Sequence, residues 1–296
     1  MSKRDLVLCV LMVWLTLATS LGGAFAHGEA NSGNPAVGHE EAAPKFSEFD
    51  ERQALAYSQA AIGREVGDYR FIASDGRTVR LSQYRGKPLV ISLIYTSCYH
   101  TCPMITQALS RSARAAGNAL GVDSFSIVTI GFDTAVDTPA RMRQYGKEQG
   151  ANHRSWTLLS TDADTMAKLA KDLGFIFYAS PKGYDHLAQT TILSSDGKVA
   201  TQVYGADFEP PMVVDPLKRL IFGGKANLTS VDGLIGRVRL ICTIYDPRSE
   251  RYHFDYSLLV GIIVGGLCLA LVAVVLVREA WLLRKYTKKR RESGST

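Results

Sequence analysis

The chain is poor in cysteine, with five among 296 residues, and no two of them stand in the Cys-x-x-Cys spacing usual in thiol reductases. It has no internal repeat, which excludes a solenoid. It also lacks net charge where charge would matter. The formal +6 comes entirely from the two ends, and residues 27–256 hold 25 basic and 25 acidic side chains. A basic pI of about 9.0 therefore gives no support to nucleic-acid binding. Residues 257–277 contain no charge at all over 21 positions, which excludes an ordinary surface helix there.

Those 21 residues are long enough to cross a bilayer core of ~30 Å at ~1.5 Å per residue. Arg278, Arg284, Lys285, Lys288, Lys289, Arg290 and Arg291 follow, an excess of positive charge that marks a cytoplasmic flank. At the other end, Lys3 and Arg4, the apolar run Leu6 to Ala18 and Ala24-Phe-Ala26 have the order of a cleavable secretory signal. The sequence thus divides into a signal peptide (1–26), a flexible lead-in (27–60), a folded domain (61–208), a C-terminal extension (209–256), a transmembrane helix (257–277) and a basic cytoplasmic tail (278–296). The expected location is a bacterial cytoplasmic membrane, crossed once, with the main domain on the extracytoplasmic side.

The folded domain alternates in pattern. Tyr69 to Ala73 and Thr78 to Leu81 flank Asp75-Gly76, a hairpin signal. Leu89 to Tyr95 is a continuous apolar run fit for a strand buried on both faces. A helix is expected over Met104 to Leu120, then a strand over Phe125 to Ile130. Thr138-Pro139 opens a helix to about Gln149. Trp156 to Leu159 reads as a strand, and Thr161-Asp-Ala-Asp164 opens a helix that Gly174 closes. Thr190 to Leu193 and Val199 to Tyr204 form a second hairpin across Ser195-Asp196-Gly197. Beyond it, Asp215 to Phe222 and Val231 to Cys242 look helical, and Tyr245-Asp-Pro247 reads as a turn. This is an α/β pattern, a mixed sheet flanked by helices. With a pair of thiols at the first strand-to-helix junction, the assignment is a thioredoxin-like fold plus one C-terminal transmembrane helix.

The thiol pair is Cys98 and Cys102, in Tyr95-Thr-Ser-Cys98-Tyr-His-Thr-Cys102-Pro103. At a helix start the dipole and the free N–H groups favour thiolate, the form that binds metal or attacks a disulfide. Four readings compete. A structural disulfide suits an exported chain, but so short a loop gains little chain entropy. A thioredoxin-type reductase wants two intervening residues where this chain has three, and a proline before the facing strand where this chain has Gln189. A peroxiredoxin wants Pro-x-x-x-Thr/Ser-x-x-Cys, but Ile91 and Tyr95 occupy those places before Cys98. The fourth reading adds His186, just before the strand that approaches the dithiol in this fold. Two thiolates and an imidazole suit Cu(I), and a further ligand would admit Cu(II). His100 is a weaker ligand candidate, and His153 and His253 have no partner pattern. Cys242 reads as a buried thiol, with a resolving or auxiliary-ligand role as the alternative. His27, as a new N-terminus, reads as part of a solvated tail. Asp133, Asp137 and Asp185 are candidates to tune the site or form a partner surface, Asp185 by orienting His186, with loop solvation and capping as the alternative for all three.

Taken in order, Asp75-Gly76, Tyr95-Thr-Ser-Cys98 with Cys102-Pro103, Gly131-Phe-Asp133 with Asp137-Thr138-Pro139, Asp185-His186 and Ser195-Asp196-Gly197 resemble the Sco/SenC family of copper chaperones for cytochrome c oxidase assembly. The resemblance covers about residues 62–208. It implies copper held by Cys98, Cys102 and His186. Two positions depart from the family: Tyr99 stands where proline follows the first cysteine, and Thr134 where proline often follows Asp133. The C-terminal anchor departs as well.

The resulting expectation is a membrane-tethered, extracytoplasmic copper chaperone, binding Cu(I) or Cu(II), whose partner is the copper-receiving subunit of a respiratory oxidase. The alternative is a thiol-disulfide oxidoreductase in which Cys98 and Cys102 reduce cysteines of the oxidase subunit or of another exported protein. Either one needs thiol-disulfide reductants and the membrane as partners, and no nucleic acid.

Overall fold

The computed structural model describes residues 49–181, 183–223, 243–246 and 251–292. The expected signal peptide 1–26 with its Cys9, the expected lead-in up to residue 48 with His27, the expected helix Val231–Cys242 with its Cys242, and Pro247 lie outside the described residues.

The centre of the fold is the strand most apolar in sequence. β3 (Leu89–Ile94) is buried at all six positions, as a strand covered on both faces must be. It runs parallel to β4 (Ser126–Gly131), which runs parallel to β5 (Trp156–Ser160). On one side β1 (Arg70–Ala73) and β2 (Thr78–Arg80) close the sheet as an antiparallel hairpin. On the other, β8 (Gln189–Leu193) pairs antiparallel with β3 and with β9 (Val199–Tyr204). The sheet order is β2-β1-β5-β4-β3-β8-β9, a mixed seven-stranded sheet.

Helices cover both faces. α2 (Thr101–Leu120) turns Cys102, Ile105, Ala108, Leu109, Ala113 and Ala116 inward, and its alanines let it lie close to the sheet. α3 (Pro139–Gln149) joins it on that face, where Tyr145 Oη and Thr106 Oγ1 share a hydrogen bond of 2.7 Å. On the opposite face, the buried amides of Gln189 and Gln202 donate to the Leu173 carbonyl at the end of α4 (Ala163–Leu173), at 3.1 and 3.0 Å. Each fully buried Ile, Leu or Phe in these layers contributes about 1.5–3 kcal/mol.

Both expected hairpins and the β3-to-α4 series form, and the differences lie at the edges. Part of the expected flexible lead-in is a helix, α1 (Glu51–Gln59), because Asp50 caps it by accepting from the Arg52 and Gln53 N–H groups at 2.8 and 3.2 Å. Its Ser58 is buried and shares a hydrogen bond with Tyr204 Oη. A two-stranded ribbon, β6 (Phe177–Ser180) with β7 (Gly183–His186), precedes β8 and makes a separate sheet. In the extension, α5 (Pro211–Phe222) starts four residues earlier than Asp215, since proline suits a first turn. Tyr245 and Asp246 belong to a strand rather than a turn: β10 (Thr243–Asp246) pairs with β11 (Arg251–Phe254). α6 (Ser257–Glu292) runs past residue 277 into the basic tail, whose lysines and arginines are good helix formers. Its stretch Val260–Leu282 is long and apolar enough to cross a membrane, and none of it is covered by the rest of the protein.

Candidate thiol and metal site

β3 ends at Ile94, and the chain must turn from the sheet into α2 within a few residues. The Cys98 N–H closes that turn on the Tyr95 carbonyl at 3.1 Å. α2 then begins without a side-chain cap, because His100 at the N-cap position makes no such bond. A helix start leaves orphan N–H groups, and here the sulfur of Cys98 takes one of them. The Cys102 N–H donates to Cys98 Sγ at 3.3 Å. The Cys102 thiol, the His100 N–H and the Tyr95 hydroxyl also favour its charged form.

These donors separate the two thiols electrostatically. The Cys102 thiol, the backbone N–H groups and Tyr95 hold Cys98 down to about 4, against the desolvation that opposes them. Cys102 is fully buried and pushed well up, chiefly by donating to the Cys98 sulfur and then by burial. Tyr95 is pushed up to about 12 by burial and by its bond to Cys98. Both cysteines are free thiols in this structure. Cys98 is the half-exposed thiolate and Cys102 the buried, protonated partner.

His186 ends β7 in an aromatic setting. Its ring lies edge-on to Phe132 at 5.4 Å and to Tyr95 at 6.1 Å, with Phe175 tilted at 5.5 Å. Burial holds its pKa below the usual value. Its Nδ1 is 3.0 Å from the Leu187 carbonyl oxygen. Only a protonated nitrogen can bond there, so Nδ1–H donates and Nε2 keeps the lone pair a metal would use. The expected orienting role of Asp185 therefore falls to the Leu187 carbonyl, and Asp185 is exposed. The Cys98 charge acts on His186. Among the described residues, however, no three His, Cys, Asp or Glu side chains converge closely enough to hold an ion. Of the expected trio, the two thiols are in contact, and the His186 ring packs on Tyr95 of the same loop.

Two residues not expected in this role shape the loop. Asp137 is buried, and its Oδ1 accepts from the Thr96 N–H and hydroxyl at 2.8 and 2.6 Å, while Oδ2 accepts from the Asp133 N–H at 3.0 Å. The carboxylate thereby ties the cysteine loop to the β4–α3 loop. Gly131 makes room for it, since a Cβ there would fall 2.4 Å from Asp137 Cβ. Tyr95 is the second, packed against Gly183 of the β6–β7 ribbon. The Asp-Thr-Pro segment and the Tyr95 position were visible in the sequence, but what they touch was not. Burial, and after it the Asp133 charge, pushes the Tyr184 hydroxyl up. Tyr99 is 96% exposed at the loop tip and His100 is exposed beside it. His153 stacks on Phe125 at 5.8 Å, far from the thiols in the fold, and His253 lies on β11 opposite Ile244.

A family profile described as SCO1/SenC matches residues 58–221. The mitochondrial SCO2 homolog of Bos taurus is 24% identical over 175 residues, which cover 57% of this chain and 64% of that protein. The crystal structure of an Aquifex aeolicus VF5 protein described as an electron transfer protein superposes with a TM-score of 0.51 at 27% identity, covering 57% of this chain and 99% of that one. Bradyrhizobium japonicum ScoI, solved with copper bound, is 25% identical with a TM-score of 0.46, covering 53% of this chain and 99% of that one. The matched region begins in α1 and ends in α5, so it takes in every strand of the central sheet and both cysteines, and the chain belongs to the SCO1/SenC family.

Proposed function

We propose that this protein binds copper through Cys98, Cys102 and His186 and delivers it to a copper-receiving subunit of a respiratory oxidase, while tethered to the membrane by α6 with its main domain on the extracytoplasmic side. One observation carries the reading: the paired thiols Cys98 and Cys102 share their loop with Tyr95, on which packs a His186 whose Nδ1 is engaged and whose Nε2 retains its lone pair. Two soft sulfurs and one imidazole are a donor set for Cu(I). Capture costs one proton, which leaves Cys102 as its sulfur becomes a ligand. It also requires His186 to approach the sulfurs. The β6–β7 ribbon that carries it forms no ladder with the central sheet, so it can shift without breaking that sheet.

The test is copper loading of the full chain in detergent, with stoichiometry and X-ray absorption. One Cu(I) per chain with two sulfurs and one nitrogen supports the proposal. A copper-free protein, or sulfur ligation that survives loss of both Cys98 and Cys102, overturns it.

A second reading, a thiol-disulfide oxidoreductase, is favoured by the unequal thiols. The Cys98 thiolate would attack a disulfide of the target, forming a mixed disulfide and releasing one target thiolate. Cys102, losing its proton, would then attack Cys98 Sγ and release the second target thiolate. The target gains two electrons and the Cys98–Cys102 disulfide forms. This cycle makes no use of His186.

A further inference from the structure

The ribbon β10–β11 stands between the thiol domain and α6. Its four rungs run from Thr243 opposite Phe254 to Asp246 opposite Arg251. A two-stranded ribbon is marginal alone in water, and this one is docked: β11 lies on α2. Tyr252 makes the joint with α5. Its hydroxyl donates to Asp215 Oδ1 at 3.0 Å, and its ring covers the Lys218 ammonium, 5.3 Å from the centroid. Lys218 Nζ is 3.9 Å from the same carboxylate oxygen. Lysine heads ordinarily reach out to water, yet Lys218 is only 6% exposed, because a tyrosine from the ribbon lies over it. α5 itself packs on α2 and on strands β8 and β9 of the central sheet. The joint is therefore part of the folded domain.

Beyond β11 the chain has almost no slack. Only Asp255 and Tyr256 separate Phe254 from Ser257, the first residue of α6. Two residues span at most about 7 Å. Asp255 Oδ1 accepts the Ser257 N–H at 2.9 Å, and the Val260 N–H bonds the Tyr256 carbonyl at 2.9 Å, so the helix starts at once.

We infer that the β10–β11 ribbon is a clasp, locked by Tyr252, Asp215 and Lys218, that holds the thiol domain in one orientation on its own membrane helix. A domain held this way presents Cys98 at a fixed height and angle above the bilayer. That suits an acceptor embedded in the same membrane and disfavours one diffusing in the surrounding phase. The clasp depends on α6 spanning the bilayer, and the choice of acceptor rests on the copper-delivery function proposed above.

The experiment uses the full chain in lipid nanodiscs, with spin labels on non-natural side chains at Lys168 of α4 and Val277 of α6. Both positions are exposed, and no cysteine is altered. Pulsed dipolar spectroscopy should give one narrow distance distribution. Tyr252→Ala combined with Lys218→Ala, or a Gly-Ser segment inserted between Phe254 and Asp255, should broaden it at least twofold. A broad distribution in the unaltered chain, or no broadening in either variant, overturns the clasp. In cells, the insertion variant should bind copper normally yet lower the copper content of the oxidase severalfold. Unchanged oxidase copper overturns the membrane-embedded acceptor. Failure of the unaltered chain to bind copper sinks the delivery function and the acceptor with it, while the clasp stands or falls on the distances alone.

Discussion

The Cys102 N–H points at the Cys98 sulfur across 3.3 Å, so the sulfur of one cysteine caps the helix and the backbone of the other stabilises its charge. The first turn of α2 has no side-chain cap, and a thiolate fills that place. This single arrangement gives the two thiols opposite chemistry.

Alkylation of the unaltered protein should therefore modify Cys98 alone, with a rate that climbs through about pH 4 and is flat above it. Cys102 should stay inert until the fold opens. Because the folded pKa of Cys98 lies below its ordinary value of 9.0, the thiolate stabilises the fold fully above pH 9. That contribution fades as pH falls from 9 and is gone below about 4. Cys102→Ala removes the thiol donor, so the alkylation midpoint should move up. An unmoved midpoint would mean that the backbone donors suffice.

Gly183→Ala should disturb the same thiolate from a distance. Gly183 has φ +115°, and a Cβ there would fall 2.7 Å from Tyr95 Oη. The new methyl must push Tyr95 away from Cys98 while the backbone itself is strained. Expected are a loss of about 1–3 kcal/mol in unfolding free energy and a raised Cys98 midpoint. Chemical denaturation and alkylation rates measure both.

Asp137→Asn keeps the shape but not the symmetry of a carboxylate that accepts three bonds. The amide nitrogen must then face a donor, at a cost of about 1–3 kcal/mol. Gly131→Ala should cost a similar amount, because Asp137 Cβ would lie 2.4 Å from the new atom. As the two changes strike one contact, the double variant should cost less than the sum. Strict additivity in thermal denaturation would argue against this coupling.

His186→Ala separates copper binding from thiol chemistry. Cu(I) affinity should fall at least tenfold, about 1.4 kcal/mol or more, with Cu(II) binding hurt more. Reduction of a model disulfide by Cys98 and Cys102 should persist. Since burial holds the folded His186 below its ordinary pKa of 6.5, its neutral form favours the fold above pH 6.5. That contribution drains away as pH falls from 6.5 toward the lower folded value. Cu(I) competition titrations against the unaltered protein decide the point, and equal affinities would remove His186 from the ligand set.

Most of the architecture was legible before any coordinates. β3, β4 and β5 are short apolar runs, α2 to α4 carry periodic faces with proline or glycine at their ends, and the Asp75-Gly76 and Ser195-Asp196-Gly197 turns each fix a hairpin. All of these are local signals, since each depends on residues within a few positions of one another. The thiol pair at the β3–α2 junction belongs with them, as does the uncharged run inside α6.

Tertiary structure decided what depends on neighbours far apart in sequence. Asp137 looked like a loop carboxylate until Thr96, 41 residues away, was found donating to it twice. The ribbons β6–β7 and β10–β11 are four residues to a strand, too short for a periodic pattern to stand out. They are held by what they dock on: Gly183 against Tyr95, and Tyr252 over Lys218. Sequence alone determined that two thiols would sit at the mouth of this sheet. Which of them carries the charge, and which nitrogen of His186 keeps its lone pair, followed from burial and hydrogen-bond direction, because those energies are set by contacts between groups that only the fold brings together.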